Sequence, residues 1–450
     1  MPAGALRVDA ASRVTAGYDN SRRQVLPDAV AAPADADETA ALVRICHDAR
    51  IPVVARGLGS GTAGAAVPIR GGLVVSFERM NRIVALNPAD RTLVAQPGVL
   101  NDAVQRAAAQ AGFFWAPDPT SAAYSTVGGN LACNAGGPRA VKYGTVRENV
   151  LGLQAVTGTG ERIRTGTATT KGVVGYDFTR LLLGSEGTLA LITEATLKLT
   201  PLPPARATLR ATYADAAAAA RAVAQIMAGP VTPCALEFMD GVALGLVRGF
   251  DPEVGIRADA GAMLLIECDG DDARAAADLA AVAARADAGG LLALDTARDA
   301  DGTAALWRCR RALSPAQRRL KPLKLNEDVV VPVSRLPELV DALARLGTAH
   351  RVLVVSFGHA GNGNLHVNLL GDEADRARMG ACLDDVFAAV LALGGTLSGE
   401  HGIGYDKRAF VGLEIDPITL DLMRRVKTQF DPRSILNPDK VFPPLETDNV

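Results

Sequence analysis

Three of the five histidines lie in two short motifs near the C-terminal end of the sequence. The first motif reads Gly-His-Ala-Gly-Asn-Gly-Asn-Leu-His-Val-Asn over residues 358–368, and the second reads Ser-Gly-Glu-His-Gly-Ile-Gly over residues 398–404. Two imidazoles and one carboxylate suit Zn²⁺ or Mn²⁺ and leave coordination positions for a substrate. His359, His366 and Glu400 are therefore candidate metal ligands. Structural histidines that are held by hydrogen bonds are the alternative interpretation.

The strands and turns around these motifs must position the ligands. The apolar run 352–357 predicts a strand that ends just before His359, and the run 365–370 predicts a second strand after a Gly-Asn-Gly-Asn turn. Residues i and i+2 of a strand share a face, so His366 and Asn368 should point the same way. The sequence has no H-E-x-x-H motif of the zinc proteases.

Three glycine-rich blocks in the N-terminal half could hold a phosphate or a flat heterocycle. Residues 59–64 match G-x-G-x-x-G after a predicted strand at 51–55, but Pro68 and then Gly71-Gly72 follow where a Rossmann fold needs a helix. What remains is a chain of backbone N–H groups around a phosphate, or a structural turn. Blocks 125–137 and 184–189 add small and amide side chains. Three such blocks in one domain favour a cofactor over turns alone.

Composition excludes several classes of function. With 47 Lys+Arg against 49 Asp+Glu, the formal charge of -2 gives no electrostatic reason to bind nucleic acid. The six cysteines form no C-x-x-C pair, which excludes an in-chain zinc ribbon or iron–sulfur cluster and favours buried thiols in a reducing compartment. Neither a signal peptide nor a transmembrane segment is predicted, so we expect a cytoplasmic protein, or one peripheral at the inner membrane face.

The chain of 450 residues is long enough for two or three domains. Its first part predicts helices at 37–50 and 101–111, strands at 73–77, 83–86, 92–96, 150–157 and 189–199, and a loop-like stretch at 118–144. The prolines in 200–204 indicate a domain boundary. Beyond them, strand-like runs alternate with Ala-rich amphipathic helices, which is typical of an α+β domain with helices on one face of a sheet. We expect domains at 1–204 and 205–417 and a C-terminal segment at 418–450.

Taken together, the motifs resemble the flavin-binding oxidases and dehydrogenases of the vanillyl-alcohol-oxidase type, in particular their D-2-hydroxyacid dehydrogenase branch. The resemblance extends over about residues 37–442 and rests on residues 56–61, 119–121, 126–130, 134–137 and 184–188 and on the two histidine motifs. It implies an α+β fold with a two-lobed FAD-binding domain, which the segment 418–450 completes, and a cap domain with an antiparallel sheet that binds the substrate.

The resemblance also implies which residues hold the cofactor. The first loop would hold the FAD pyrophosphate, the second the isoalloxazine and ribityl chain, and the third, with Ile192, the adenine side. No histidine or cysteine lies in residues 56–64, so we expect a non-covalent flavin. The implied cofactor-binding residues are Arg56, Gly57, Gly59, Ser60, Gly61, Thr62, Pro119, Ser121, Thr126, Gly128, Gly129, Asn130, Asn134, Gly136, Gly137, Glu186, Gly187, Ile192 and Asn437.

The implied reaction is oxidation of a small D-2-hydroxy acid to the 2-oxo acid, with hydride transfer from C2 to flavin N5. A metal that contacts the hydroxyl and a carboxylate oxygen would acidify the first and fix the second. His401 is the candidate base, and His366 is the alternative. The implied substrate-binding residues are Arg310, which follows a tryptophan by three positions, together with Ser314, Lys324 and Asn368.

Several alternatives stay open at this point. D-Lactate-like substrates are preferred over D-2-hydroxyglutarate and glycolate, because the trio Arg310, Ser314 and Lys324 fits a dicarboxylate pattern only in part. The electron acceptor is external: a quinone, a cytochrome, an electron-transfer flavoprotein or O₂. A homodimer is one option for the assembly. A metallohydrolase without flavin and a non-catalytic binding subunit of an oxidase complex are the rival functions.

Overall fold

The structure is a computed structural model that describes residues 4–318 and 320–444. The chain forms two compact units. Unit 1 comprises the residues up to 137, residues 144–202 and the residues from 400 onwards, and unit 2 comprises residues 138–143 and 203–399. The functions that the sequence analysis assigns to its three ranges stay predictions.

The helices and strands follow one another along the whole described chain. Up to residue 202 they are β1 (Leu6–Arg7), α1 (Ala10–Ala16), β2 (Ala29–Ala31), α2 (Ala36–Ala49), β3 (Val53–Arg56), β4 (Leu73–Ser76), β5 (Ile83–Asn87), β6 (Thr92–Ala95), α3 (Asn101–Gln110), β7 (Phe113–Phe114), α4 (Val127–Cys133), α5 (Ala140–Tyr143), β8 (Val150–Thr157), β9 (Arg162–Gly166), α6 (Phe178–Leu182), β10 (Ala190–Lys198) and β11 (Thr200–Pro201). From residue 203 they are β12 (Ala205–Tyr213), α7 (Ala216–Met227), β13 (Ala235–Asp240), α8 (Gly241–Phe250), β14 (Ala262–Gly270), α9 (Asp272–Ala283), β15 (Leu291–Ala297), α10 (Ala300–Arg318), β16 (Leu323–Val330), α11 (Leu336–His350), β17 (Leu353–Gly358), β18 (Asn364–Gly371), α12 (Arg376–Ala392), α13 (Val411–Glu414) and α14 (Pro417–Phe430).

Unit 1 contains two main sheets. One has the order β1-β2-β4-β3, with β2 and β3 parallel to β4, and the other is the antiparallel sheet β5-β6-β10-β8-β9. The chain end joins the first sheet, because Leu436 forms a parallel bridge with Val53 and the Val53 N–H donates to the Ile435 carbonyl at 2.8 Å. The loop from β3 to β4 contains no helix, which agrees with the exclusion of a Rossmann fold.

The second glycine block differs from its prediction. Residues 118–144 were expected to be loop-like, yet α4 and α5 lie within them. Thr126 caps α4 by accepting the Gly129 N–H at 3.2 Å, and Val127 and Leu131 pack into the core of unit 1. Burial of these apolar side chains outweighs the poor helix propensity of Gly128-Gly129, which the sequence interpretation followed.

Unit 2 is built on one antiparallel sheet of seven strands, in the order β15-β12-β14-β13-β17-β18-β16. The prediction of helices on one face only is wrong. Helices α8 and α10 pack against Met239, Val355 and Phe357, whereas Gly347 of α11 lies against Val354, which points to the opposite face. The α10 face of the sheet contains the buried polar residues Glu237, Glu267 and His366.

The tyrosine hydroxyl at the end of β12 gives a test of this packing. Tyr213 is fully buried, and its hydroxyl donates to the Ala286 carbonyl at 2.7 Å. Because Tyr213→Phe removes the donor and leaves a buried acceptor, we expect a loss of about 1–3 kcal/mol in the free energy of unfolding. Urea denaturation followed by circular dichroism measures it. Tyr176→Phe is the control, since Tyr176 is 91% exposed and should change nothing. Equal midpoints for the two variants would contradict the prediction.

Candidate functional site

A cavity lies in unit 1 where several loops and strand ends meet. The end of β3, the start of α4, the turn before β10 and β10 itself form its walls. The sequence analysis predicted about half of the lining residues: Arg56, Gly57, Thr126, Gly128, Gly129, Gly187 and Ile192. The others are Ala55, Phe77, Pro97, Ala132, Ser185, Ala190 and Leu191. Ser185 belongs to the third glycine block, so that block already pointed to it.

Two observations indicate that the cavity fits FAD. A Cβ on Gly57 would lie 2.3 Å from Thr126 Oγ1, and one on Gly128 would lie 2.5 Å from Pro97 Cβ, so the walls close around backbone that has no side chain. In the described part of the chain, the buried Ser125 Oγ and Asn130 Nδ2 have no hydrogen-bond partner. Buried polar atoms of this kind normally pair with something. Neither side chain is part of the cavity lining, but their chain neighbours Thr126 and Gly129 are, so the two unpaired atoms lie beside the cavity.

The first loop is folded around its own neighbours. The Arg56 guanidinium is buried, which lowers its pKa, and Nη1 donates to the Tyr18 carbonyl at 2.6 Å. The Asn20 backbone N–H donates to the Gly61 carbonyl at 2.9 Å. Gly59 has a φ of +68°, and a Cβ there would lie 2.5 Å from Arg56 Nη2. The loop is thus held in one conformation, and its contact with a pyrophosphate stays a prediction.

The remaining predicted cofactor residues do not line this cavity. They are Gly59, Ser60, Gly61, Thr62, Pro119, Ser121, Asn130, Asn134, Gly136, Gly137, Glu186 and Asn437. Two of them have contacts that stabilise the unit itself: Asn134 Oδ1 accepts from the Arg147 N–H at 3.1 Å, and Asn437 Nδ2 donates to the Glu186 carbonyl at 2.7 Å. Whether these side chains also contact FAD stays a prediction.

The candidate base His401 is held in unit 1 through Glu186. The two carboxylate oxygens of Glu186 accept from the N–H groups of Ile403 at 2.6 Å and Gly404 at 2.8 Å. Burial raises the pKa of Glu186, while these two donors act in the opposite direction. The Glu186 carboxylate therefore holds the segment that follows His401 against the third glycine block. The side chain of Glu186 therefore has a positioning role that the sequence analysis missed.

The glycine wall of the cavity can be tested by adding a methyl group. Because the new Cβ of Gly128→Ala would press on Pro97, we expect FAD binding to weaken by about 10- to 100-fold, which corresponds to an overpacking cost of about 1–3 kcal/mol. The flavin absorbance of the purified variant measures the FAD content. Gly245→Ala on α8 is the control, since nothing lies within 4 Å of its added Cβ. Full flavin content in Gly128→Ala would contradict the claim that FAD binding requires the close packing of Gly128 against Pro97.

Unit 2 brings His359 and His366 together on the α10 face of its sheet. Their ring centroids are 5.3 Å apart, and both side chains are buried. His359 follows the last residue of β17, and His366 lies in β18, opposite Phe357. Asn368, two residues further on the same face, is fully buried, and among the described residues neither its Oδ1 nor its Nδ2 has a hydrogen-bond partner. A ligand bound next to Asn368 would supply hydrogen-bond partners for its amide oxygen and nitrogen.

A carboxylate that the sequence analysis did not single out joins this cluster. Glu237 in β13 is almost fully buried, and its two oxygens contact His359 Nδ1 at 2.5 Å and Arg310 Nε at 2.7 Å. Burial alone raises the pKa of Glu237, but the His359 imidazole and the Arg310 guanidinium outweigh it and lower the pKa to about 2. The available sequence signal was a single carboxylate inside the apolar run Ala-Leu-Glu-Phe-Met.

The predicted substrate-binding residues lie partly in this cluster. The Arg310 guanidinium lies 4.9 Å from the centroid of the Phe357 ring, and in the described part of the molecule its two terminal nitrogens make no hydrogen bond. Lys324 Nζ donates to Gln317 Oε1 at 3.1 Å. The backbone of Ser314 is part of α10, but its side chain lies outside the described residues. The contacts of all these residues with a substrate stay predictions.

Glu400 is joined by a peptide bond to Gly399, the last residue of unit 2. The Gly399 N–H donates to the Asp328 backbone carbonyl at 3.0 Å and to Asp328 Oδ2 at 2.9 Å. Asp328 is the residue of β16 that lies opposite His366 in β18. The chain is therefore anchored beside His366 immediately before the predicted carboxylate ligand.

Comparison with known proteins agrees with this arrangement. Residues 202–441 match the family model "FAD linked oxidases, C-terminal domain", and residues 27–166 match "FAD binding domain". The chain is 38% identical to the glycolate oxidase subunit GlcD of Bacillus subtilis, over 96% of this chain and 93% of that one. It is 36% identical to the D-2-hydroxyglutarate dehydrogenase of Xanthomonas citri (98% and 95%) and 35% identical to the D-lactate dehydrogenase of Anaerostipes hadrus (94% and 90%).

A solved structure of p-cresol methylhydroxylase with bound substrate shares the fold. Its TM-score is 0.76 at 15% identity, over 99% of this chain and 95% of that chain. The predicted α+β class with a vanillyl-alcohol-oxidase-type FAD-binding fold is confirmed. No helix in residues 4–318 or 320–444 has the length and apolar character needed to cross a membrane. The chain belongs to the family of FAD-linked oxidases, and it is an FAD-linked oxidoreductase that acts on a small substrate and passes electrons to an acceptor.

Proposed function

We propose that this enzyme oxidises a D-2-hydroxy acid of the D-lactate type to the 2-oxo acid, with non-covalent FAD and a divalent cation, Zn²⁺ or Mn²⁺. The names of the relatives, a glycolate oxidase subunit, a D-lactate dehydrogenase and a D-2-hydroxyglutarate dehydrogenase, support this class of substrate. The observation that carries the proposal is the buried polar cluster of His359, His366, Asn368 and Arg310 on the α10 face of the seven-stranded sheet, in a chain that also holds a flavin-type cavity.

The cluster has the chemistry of a metal site. His359 and His366 supply two buried imidazoles, and Glu400, one peptide bond beyond the anchored Gly399, supplies the carboxylate, so each of the three can offer one ligand atom. This donor set suits Zn²⁺ or Mn²⁺. The contact of His359 Nδ1 with Glu237 selects Nε2 as the nitrogen for a cation. A bound cation would supply a Lewis acid for the 2-hydroxyl and a template for the carboxylate.

The other residues orient the substrate and move its proton. Arg310 uses Nε to bind Glu237, so its two terminal nitrogens can take the substrate carboxylate in a bidentate contact. His401 removes the hydroxyl proton, and Asn368 donates and accepts hydrogen bonds next to the reacting carbon. Bound FAD supplies the two-electron acceptor for the hydride that leaves C2. An external quinone, cytochrome or electron-transfer flavoprotein then reoxidises the enzyme.

The choice among substrates depends on the polar groups beyond Arg310. Arg310, Ser314 and Lys324 fit a dicarboxylate pattern only in part, and this partial fit supports a small substrate over a dicarboxylate. Anaerobic mixing of the enzyme with D-lactate, L-lactate, glycolate and D-2-hydroxyglutarate tests the order by the loss of flavin absorbance. We expect D-lactate to react fastest. A large preference for D-2-hydroxyglutarate would overturn the order, and no reaction with any of the four would overturn the proposed class.

A further inference from the structure

Glu237 contacts two residues with different proposed roles, one through each oxygen of its carboxylate. One oxygen faces His359 Nδ1 at 2.5 Å, and the other accepts from Arg310 Nε at 2.7 Å. His359 is a proposed metal ligand, and Arg310 is the proposed partner of the substrate carboxylate. Glu237 is 1% exposed and lies in the middle of β13, so its position is fixed by the sheet.

The geometry places one carboxylate oxygen against each of the two partners. With Glu237 as acceptor, the His359 ring carries its proton on Nδ1, and Nε2 becomes the ligand nitrogen. On the other side, the contact with Nε fixes the guanidinium, whose Cζ lies 4.9 Å from the centroid of the Phe357 ring, and it leaves the two terminal nitrogens for another partner. One buried side chain therefore sets the tautomer of a ligand and the orientation of an arginine.

We propose that Glu237 is a positioning residue that couples the metal site to the substrate-carboxylate site. The inference rests on the proposed function, since it assumes a cation at His359. Glu237 itself contacts neither the cation nor the substrate. It acts through His359 and Arg310, so its loss should weaken metal binding and substrate binding together, and a ligand on one side should favour binding on the other.

Glutamine is the informative replacement. In Glu237→Gln, the amide has one oxygen and one NH₂ group, so it can accept from His359 or from Arg310 but not from both. When the NH₂ group faces His359, it favours the tautomer with the proton on Nε2, which cannot bind a cation. When the NH₂ group faces Arg310, it meets the Nε–H group, and no hydrogen bond can form between these two donors. The buried side chain keeps its shape and volume in either case.

Glu267 provides a matched control on the neighbouring strand β14. It is also a buried carboxylate of the α10 face, but its hydrogen bonds from Trp307 Nε1 at 2.8 Å and Thr208 Oγ1 at 3.1 Å both end on the same oxygen, Oε1. The single oxygen of a glutamine can accept both. Glu267→Gln therefore removes the same charge from the same sheet without disturbing the residues that Glu237 holds.

The experiment measures Mn²⁺ binding by electron paramagnetic resonance on FAD-loaded, metal-depleted protein. We expect Glu237→Gln to bind Mn²⁺ about 10- to 100-fold more weakly than the wild type and to show a raised KM for D-lactate, with Glu267→Gln unchanged in both. Equal Mn²⁺ affinity in Glu237→Gln and the wild type would overturn the coupling role. No Mn²⁺ or Zn²⁺ binding by the wild type would overturn the metal proposal itself, which is a different result.

A second measurement does not depend on the variant folding. In ¹⁵N-histidine-labelled wild-type protein without metal, we expect His359 to carry its proton on Nδ1. A proton on Nε2 alone would contradict the role of Glu237, whatever the variants show.

Discussion

Replacement of His401 by asparagine is expected to slow flavin reduction by the substrate by about 10²- to 10⁴-fold, the usual contribution of a general base. Asparagine retains a polar side chain but cannot take the hydroxyl proton. Glu186 holds the following residues through backbone N–H groups, which the substitution leaves in place, so the segment should keep its position and the flavin should stay bound. Stopped-flow absorbance under anaerobic conditions measures the rate, and the absorbance of the purified protein measures FAD content.

His350 provides the control for this experiment. It lies at the end of α11 in unit 2 and pairs with Asp385 at 2.6 Å, so His350→Asn should reduce its flavin at the wild-type rate. If His401→Asn also reacts at the wild-type rate, the base is another group, and His366 becomes the next candidate. Loss of flavin from His401→Asn would instead assign that histidine to cofactor binding.

Replacement of His366 by alanine is expected to remove the bound cation and with it the activity. The loss of a ligand atom should exceed the 10- to 100-fold weakening of metal affinity that is typical when only a supporting residue is lost, so we expect a decrease of more than about 100-fold. The FAD content should not change, because the cavity lies in unit 1 and His366 lies in unit 2. Elemental analysis of the purified protein and turnover with added Mn²⁺ measure the two effects.

The same experiment separates the two roles proposed for His366. A variant that keeps its metal but no longer reduces the flavin would show that His366 is the base. His350→Ala controls for the general effect of removing an imidazole, and it should keep both metal and activity. Activity of the wild type that survives a chelator, with the metal removed, would contradict a metal-assisted reaction altogether.

The sequence predicted those elements whose local pattern agrees with their packing. Helix α2 has an acidic first turn and the side chain of Asp35 as its N-cap, and β4 is a short apolar run between turns, so both were predicted within about a residue. Strand β13 was missed because Glu237 interrupts its apolar run, and α8 was missed because Gly241, Gly245 and Gly249 suggest turns. In both cases tertiary packing decides the structure, and no local pattern reports it.

In the candidate site, too, the sequence predicted some residues and could not predict others. His359 and His366 could be found because the chain has only five histidines and these two flank a glycine turn, and because their strands are adjacent in sequence. Glu237 lies more than a hundred residues away, and only the order of the seven-stranded sheet brings β13 next to β17. A buried carboxylate in an apolar strand indicates that it has a cationic or hydrogen-bonding partner, but its identity requires the topology.

The bridge between Leu436 and Val53 has a consequence for the synthesis of this enzyme. The first sheet of unit 1 is completed by residues that are synthesised after every residue of unit 2. During translation, one edge of β3 stays unpaired until the residues around Leu436 have been synthesised. The nascent N-terminal half therefore exposes a strand edge that chaperones can recognise. Flavin capture should therefore follow the synthesis of unit 2, which makes the supply of cofactor at that moment a determinant of yield.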